Sequence, residues 1–245
     1  MNYIKTKILK FYSIITTFFE NTFLRLSRPH SLLIENGFLK IKLKNKLFEN
    51  LEFEKKIDRN TYLKNLIVNQ VEIKKLIEKL FIEYEILDKI TSMTGFNYKI
   101  SYLLLYETLN IPDNLSNNEI YANNWHFDKP YSKNTLKVVI PFENIEINSG
   151  PMKILNIKNS KNFISKDTSP DLEFTGNQDD VLLFFPNVCA HKAGIPKENK
   201  NRKQLMLQLN PSFDWSKDKK LYNKQFRLEP KFPLFENIFL KKEKI

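Results

Sequence analysis

The chain has three histidines, and two of them stand where a metal ion could be held. His126-Phe127-Asp128 sets an imidazole and a carboxylate two positions apart. On a β-strand, residues i and i+2 project from one face, so both side chains can reach a single ion. His191 lies some sixty residues further on, just after the apolar run 181–185. Two histidines and one carboxylate make the facial triad of non-haem Fe(II) sites, which leaves the opposite coordination positions open. A His-x-Asp pair alone has a plainer explanation, a surface histidine beside a turn aspartate. Arg202 adds weight. It follows His191 by eleven residues and opens an apolar stretch, 205–209. A planar guanidinium suits two-pronged capture of a carboxylate.

On these residues the stretch 124–209 resembles the phytanoyl-CoA dioxygenase-like family of Fe(II)/2-oxoglutarate oxygenases. The matching segments are Asn124-Trp125-His126-Phe127-Asp128, Leu136 to Phe142, and Ser149-Gly150-Pro151-Met152-Lys153-Ile154-Leu155. They continue through Gly176 to Phe185 and on to His191 and Arg202. The resemblance implies that His126, Asp128 and His191 bind Fe(II), and that Arg202 binds the distal carboxylate of 2-oxoglutarate. It implies O2 as cosubstrate, succinate and CO2 as coproducts, and hydroxylation of a small molecule or an acyl- or glycan-type substrate. Asp128 as a third protein ligand disfavours a bound halide, so hydroxylation is expected rather than halogenation. The chain departs from the pattern at Asn156-Ile157-Lys158-Asn159-Ser160, where the family often shows Pro-Gly-Ser-His. It departs again at Ala193, where a hydroxyl residue is usual.

Other residues near these motifs are weaker candidates. Thr135 and Lys137 share a strand face, as do Tyr102 and Tyr106. Tyr106, Thr135 and Lys137 are candidate contacts to 2-oxoglutarate; Trp125 and Tyr102 are candidate pocket residues. Each also has a plain role in packing or on a solvated face. His30, after Pro29 in a polar turn, reads as structural, and Cys189 as a small buried hydrophobe.

Elements must hold these residues in place. The first half reads as helix-rich, with a helix over 3–26 and a second helical pattern over 60–94, where Leu63, Leu66, Ile67, Val71, Ile73, Leu76, Ile77, Leu80 and Phe81 recur among charged residues. Between them Phe38 to Leu43 alternates as a short strand after Gly37. From residue 100 the pattern changes to short runs bounded by Asn, Asp, Gly and Pro: 100–106, 124–127, 136–142, 152–155, 181–185 and 205–209. That spacing predicts a jelly roll. With the family's fold, a double-stranded β-helix, the expectation is a mainly β protein buttressed by a helical N-terminal half. We read 1–245 as one domain, with helix-rich support over 1–98, a jelly-roll core carrying the metal site over 99–215 and a C-terminal extension over 216–245. The basic end of that extension reads as solvated.

Bulk properties bound the alternatives. At 42% hydrophobic and 13% aromatic content the chain can bury a sizeable core. One cysteine excludes an internal disulfide framework or a multi-cysteine zinc site, and fits a reducing, cytoplasmic setting. The net charge of +11 invites an acidic partner, but abundant Lys and Asn beside sparse Gly reads as compositional bias. The lysines are scattered rather than gathered with aromatics, which argues against nucleic acid. Residues 1–27 are basic and partly apolar; a membrane-surface helix is one reading, packing on the domain the preferred one. Two rival functions stay open: a cupin-like metal-binding jelly roll without oxygenase activity, with no use for Arg202, and a basic peripheral membrane protein.

Overall fold

The structure, a computed structural model of the 245-residue chain, describes residues 3–48, 51–83, 85–128, 132–163, 168–218 and 242–244. Two mostly antiparallel layers face each other. The large sheet is built from β1 (Phe38–Lys42), β8 (Asp180–Phe184), β5 (Leu136–Pro141), β10 (Asn201–Ser212) and β4 (Asn97–Leu109), in that order. It continues to β11 (Ser216–Asp218) and β12 (Lys242–Lys244), and the hairpin β2 (Lys55–Asn60)–β3 (Leu63–Ile67) joins it through β4. The small sheet is β7 (Leu172–Phe174), β6 (Met152–Ile154) and β9 (His191–Lys192).

Period-two alternation divides the core. On β10, Leu205, Leu207 and Leu209 join Ile100, Leu103, Leu105, Val138, Ile140 and Leu183 in one cluster. That cluster lies under α3 (Gln70–Glu78) and α4 (Ile86–Thr94), whose Ile73, Leu76, Ile77, Ile86 and Ile90 complete it. The opposite face of the large sheet turns toward the small one. Tyr102, Leu104, Tyr106, Val139, Leu182, Phe184 and Met206 pack there with Met152, Ile154, Phe174 and Cys189. A bulge between Gln208 and Leu209 makes Tyr102 and Ile100 consecutive partners of β10, so Ser101 is the extra residue. Below the bulge the parity of β4 changes, which lets both Ile100 and Leu103 reach the helix side.

The expected β half stands, while in the first half the helices share the chain with strands β1, β2 and β3. Residues 60–94 are not one helical stretch: Leu63, Leu66 and Ile67 belong to a hairpin strand, and the helices begin at Gln70, capped by the Asn69 side chain on the Val71 amide. Residues 124–127 form no strand and make a single bridge from His126 to His191. At the chain's end, Lys242–Lys244 pairs with Ser216–Asp218, where a solvated tail is expected; most of the 216–245 extension lies outside the described residues.

Helix α1 (Tyr3–Phe19) runs into a π turn at Glu20–Leu24 and packs with its polar side inward. Ser13, Thr16 and Glu20 are buried, while Ile8, Phe11, Ile14, Ile15 and Phe18 are exposed. Thr17 Oγ1 accepts from the Lys133 amide, and Glu20 accepts from Ser132 Oγ and, at 3.0 Å, from Asn134 Nδ2. Burial pushes the Glu20 carboxyl up to about 8, against the pull of these two donors. Among the described residues no helix is long and apolar enough to cross a membrane.

Candidate metal centre

His191 opens β9, whose partner is β6. Its backbone amide and carbonyl exchange hydrogen bonds of 2.9 and 3.0 Å with those of His126, so the bridge places both imidazoles on one edge of the small sheet. Two residues on, the Asp128 amide donates to the Pro186 carbonyl at 3.0 Å. This bond fixes the extended dipeptide that a strand would otherwise supply, and the carboxylate swings to the same side as His126.

The three side chains converge. One ligand atom from each of His126, Asp128 and His191 lies within 4.8 Å of the others. Asp128 Oδ1 is 3.7 Å from His126 Nε2 and 3.5 Å from His191 Nε2. Ligands at right angles around one ion, with bonds of about 2.1 Å, stand roughly 3 Å apart, so modest side-chain rotation closes the shell. The tautomers are set by the backbone: His126 Nδ1 meets the Asn124 carbonyl at 2.8 Å and His191 Nδ1 the Cys189 carbonyl at 3.0 Å. A carbonyl only accepts, so each Nδ1 carries a proton and each Nε2 is left as the atom that gives up its proton to a metal and turns its lone pair to the centre. Burial, helped by His191, lowers the His126 pKa below its ordinary value and favours the neutral, ligating ring.

Lys137, on β5, places its ammonium 2.5 Å from Asp128 Oδ2. Burial alone would raise the Asp128 pKa; Lys137, and then the hydrogen bond and charge of His191, outweigh it and hold the carboxyl well below the ordinary carboxylate range. One oxygen of Asp128 therefore faces both histidines while the other is held by Lys137.

The triad borders a cavity of about 320 Å³ between the sheets. Tyr102, Leu104, Tyr106, Met152 and Met206 line its body, and Arg59, Asn60, Ile120 and Tyr121 line it from the β2–β3 hairpin and the 120–122 loop. Beyond the lining lies Arg202, wholly buried. Its Nη1 donates to the Gly194 carbonyl at 3.3 Å, while Nε and Nη2 have no partner. Among the described residues no carboxylate forms an ion pair with it. Burial lowers the Arg202 pKa, and the nearby phenols of Tyr106 and Tyr121 oppose the shift. Gly194 can present its carbonyl because the backbone packs so closely: a Cβ there would stand 2.3 Å from the Pro151 carbonyl oxygen. Gly150, at φ +67°, makes the same approach from the other side, where a Cβ would meet the Pro196 nitrogen at 2.4 Å.

Of the sequence candidates, His126, Asp128, His191, Lys137, Tyr102 and Tyr106 share the cavity. Arg202 lies behind Tyr106, whose hydroxyl takes a hydrogen bond from Gln204 Nε2. Two candidates stand apart. Thr135 is buried and donates to Asn210 Oδ1 at 3.2 Å, because the strand beginning at Leu136 carries it past the cavity's end. Trp125 points away from the cavity, against Phe163 and under the Lys192 ammonium. Cys189 is fully buried, its thiol pushed up to about 12 by burial, which suits packing and not nucleophilic attack. Sequence reading missed Arg59 and Tyr121; both lie in stretches with no strand or motif signal of their own, and only the tertiary fold brings them to the cavity.

No family model matches the chain, and no curated protein does. Solved structures do. The non-heme alpha-ketoglutarate-dependent epimerase SnoN from nogalamycin biosynthesis superposes with a TM-score of 0.51 at 10% identity, over 74% of this chain and 80% of that one. HygX from Streptomyces hygroscopicus, with nickel and 2-oxoglutarate bound, gives 0.48 at 12% identity over 74% and 85%. At such identity the likeness to SnoN shows a shared fold.

Proposed function

We propose that this chain is a non-haem Fe(II)/2-oxoglutarate-dependent oxygenase that hydroxylates a small molecule, of the phytanoyl-CoA dioxygenase-like kind. The observation that carries the reading is a pairing. A two-histidine, one-carboxylate set opens onto a cavity, and a wholly buried guanidinium with two unpartnered donors lies beyond the cavity's Tyr106 wall. A metal-binding barrel without a cosubstrate has no need to bury an arginine without a counter-ion, since burying an unpaired charge is costly. A dicarboxylate fits both ends: one carboxylate and its neighbouring keto oxygen toward the metal, the other toward Arg202.

His126 Nε2, Asp128 Oδ1 and His191 Nε2 would hold the ion, a donor set that suits Fe(II). Bound there, Fe(II) supplies the activation of O2 that couples decarboxylation of 2-oxoglutarate, to succinate and CO2, with insertion of the second oxygen atom into a C–H bond. The protein's part is positional. The Nδ1 bonds to Asn124 and Cys189 fix the rings, and Lys137 keeps Asp128 single-pronged so that coordination positions stay open. Tyr106 is a protonated phenol beside Arg202 that accepts from Gln204 and keeps its own proton to orient a carboxylate, while Tyr121 donates its hydroxyl proton to the Leu109 carbonyl at 3.0 Å. Leu104, Met152 and Met206 keep the cavity apolar around it.

The test supplies Fe(II), ascorbate, 2-oxoglutarate and O2 with a panel of small metabolites. Succinate formation with a product heavier by one oxygen atom supports the reading. Succinate formation in which every product keeps its substrate's mass contradicts the hydroxylation, and equal succinate from His191→Ala contradicts the site.

A further inference from the structure

Helix α1 is inverted relative to an ordinary surface helix, and the inversion points outward. In a globular protein an amphipathic helix turns its apolar stripe to the core. Here Ser13, Thr16 and Glu20 occupy the inner face, and Glu20 with its neighbour Thr17 hydrogen-bonds the loop 132–134. The outer face carries Ile8, Phe11, Ile14, Ile15 and Phe18, exposed by 46 to 68%. These positions recur at helical spacing, so they form one continuous stripe. Further along the chain Phe23, Leu26 and Leu32 are each about 60% exposed. Large apolar side chains scattered singly need no explanation, but five on one face of one helix make a patch that marks an interaction surface.

Charge identifies the occupant. The first 34 residues hold Lys5, Lys7, Lys10, Arg25 and Arg28, and their one acidic residue is the buried Glu20. Lys7 and Lys10 are exposed on the turns that carry the stripe, and Arg28 is exposed beyond it. An apolar helix face with exposed cations on its turns and no exposed anion on the helix itself matches an anionic lipid surface, where the stripe enters the acyl boundary and the cations meet headgroups.

We propose that helix α1 is an interfacial anchor that seats this chain on anionic membranes. The helix lies in the plane of the lipid, with Phe11, Ile15 and Phe18 inserted and Lys7 and Lys10 at headgroup level. Its inner face keeps its hold on the 132–134 loop, so seating needs no unfolding of the domain.

Sedimentation of the full chain with vesicles tests this. One set is phosphatidylcholine with about one-third phosphatidylserine, the other phosphatidylcholine alone. Wild type should bind the anionic set about tenfold or more tightly than the neutral set, and added salt should weaken that binding. Phe11→Ser with Phe18→Ser should lose about tenfold or more, while melting as wild type does, because both side chains are on the solvent face. Lys7→Glu with Lys10→Glu should lose the preference for the anionic set. Wild type remaining in the supernatant with anionic vesicles would overturn the proposal, as would equal binding by wild type and the Phe variant. So would a dimer in size-exclusion chromatography that the Phe variant returns to monomer without vesicle binding, since a second copy would then be the occupant.

Discussion

The Lys137 ammonium sits 2.5 Å from Oδ2 of Asp128, while Oδ1 of the same carboxylate faces His126 and His191 at 3.7 and 3.5 Å. One ionised side chain thus links β5 of the large sheet to the candidate metal centre beside the small one. Both partners are nearly buried, with side-chain exposures of 8% and 12%. Removing one member of such a pair leaves the other as an uncompensated buried charge.

Lys137→Met should therefore destabilise the metal-free protein by about 3 kcal/mol. Added Mn(II) should close much of the gap, because the ion supplies the positive partner that Asp128 has lost. Thermal melts with and without Mn(II) check this. A deficit of the same size in both conditions would mean that Lys137 matters for packing and not through Asp128.

Arg202 shows the opposite balance. Wholly buried, with a single backbone acceptor, it burdens the fold in the absence of a ligand. Arg202→Met should melt higher than wild type without 2-oxoglutarate, since an apolar side chain of similar length removes two unpartnered donors. Adding 2-oxoglutarate to the metal-loaded protein should raise the melting temperature of wild type and leave the variant unmoved. Binding should weaken by about 2–4 kcal/mol in Arg202→Ala, with Arg202→Lys recovering only part, because an ammonium cannot reproduce the planar fork. A full ligand-induced shift in Arg202→Met would remove the guanidinium from the site.

Glu20 gives the pH dependence. Its carboxyl is raised from 4.5 to about 8 in the folded chain, chiefly by burial, so the native state holds a proton that the unfolded state releases. Stability from this group is complete below pH 4.5 and is lost as pH rises through about 8. Glu20→Gln keeps the hydrogen-bonding shape without the ionisation. It should flatten the fall in melting temperature across this window and be the more stable protein at its upper end. Parallel profiles for the two proteins would show that Glu20 is already ionised in the fold.

The convergence of His126, Asp128 and His191 was legible in the sequence because rare residue types coincide there with strand-like surroundings. With three histidines in 245 residues, one of them paired with an aspartate and another following an apolar run, few arrangements are open. The large-sheet strands were legible for a similar reason, since Leu205, Leu207 and Leu209 alternate with inward-facing Gln204 and Met206. The β2–β3 hairpin was not. Leu63, Leu66 and Ile67 fit a helical period as well as a strand, and pairing of Leu63 with Thr108 and Asn65 with Tyr106, distant in sequence, decides between them. Periodicity also could not say which face of α1 turns inward. Two polar anchors, Thr17 and Glu20, find partners on a loop more than a hundred residues away, and that outcome is fixed by tertiary contact.

The most direct measurement is an anaerobic titration of 2-oxoglutarate into Fe(II)-loaded protein, followed by the metal-to-ligand charge-transfer absorption that appears when a keto acid chelates Fe(II). Wild type should bind about one Fe(II) per chain, as a single facial triad requires, and develop the band at one equivalent of 2-oxoglutarate. Asp128→Ala and His126→Ala should bind little Fe(II) and show no band, while Arg202→Ala should hold the metal and need a far higher concentration of the keto acid. A wild-type protein that binds Fe(II) through this triad yet shows no band at saturating 2-oxoglutarate would contradict the oxygenase reading and leave a metal-binding barrel in its place.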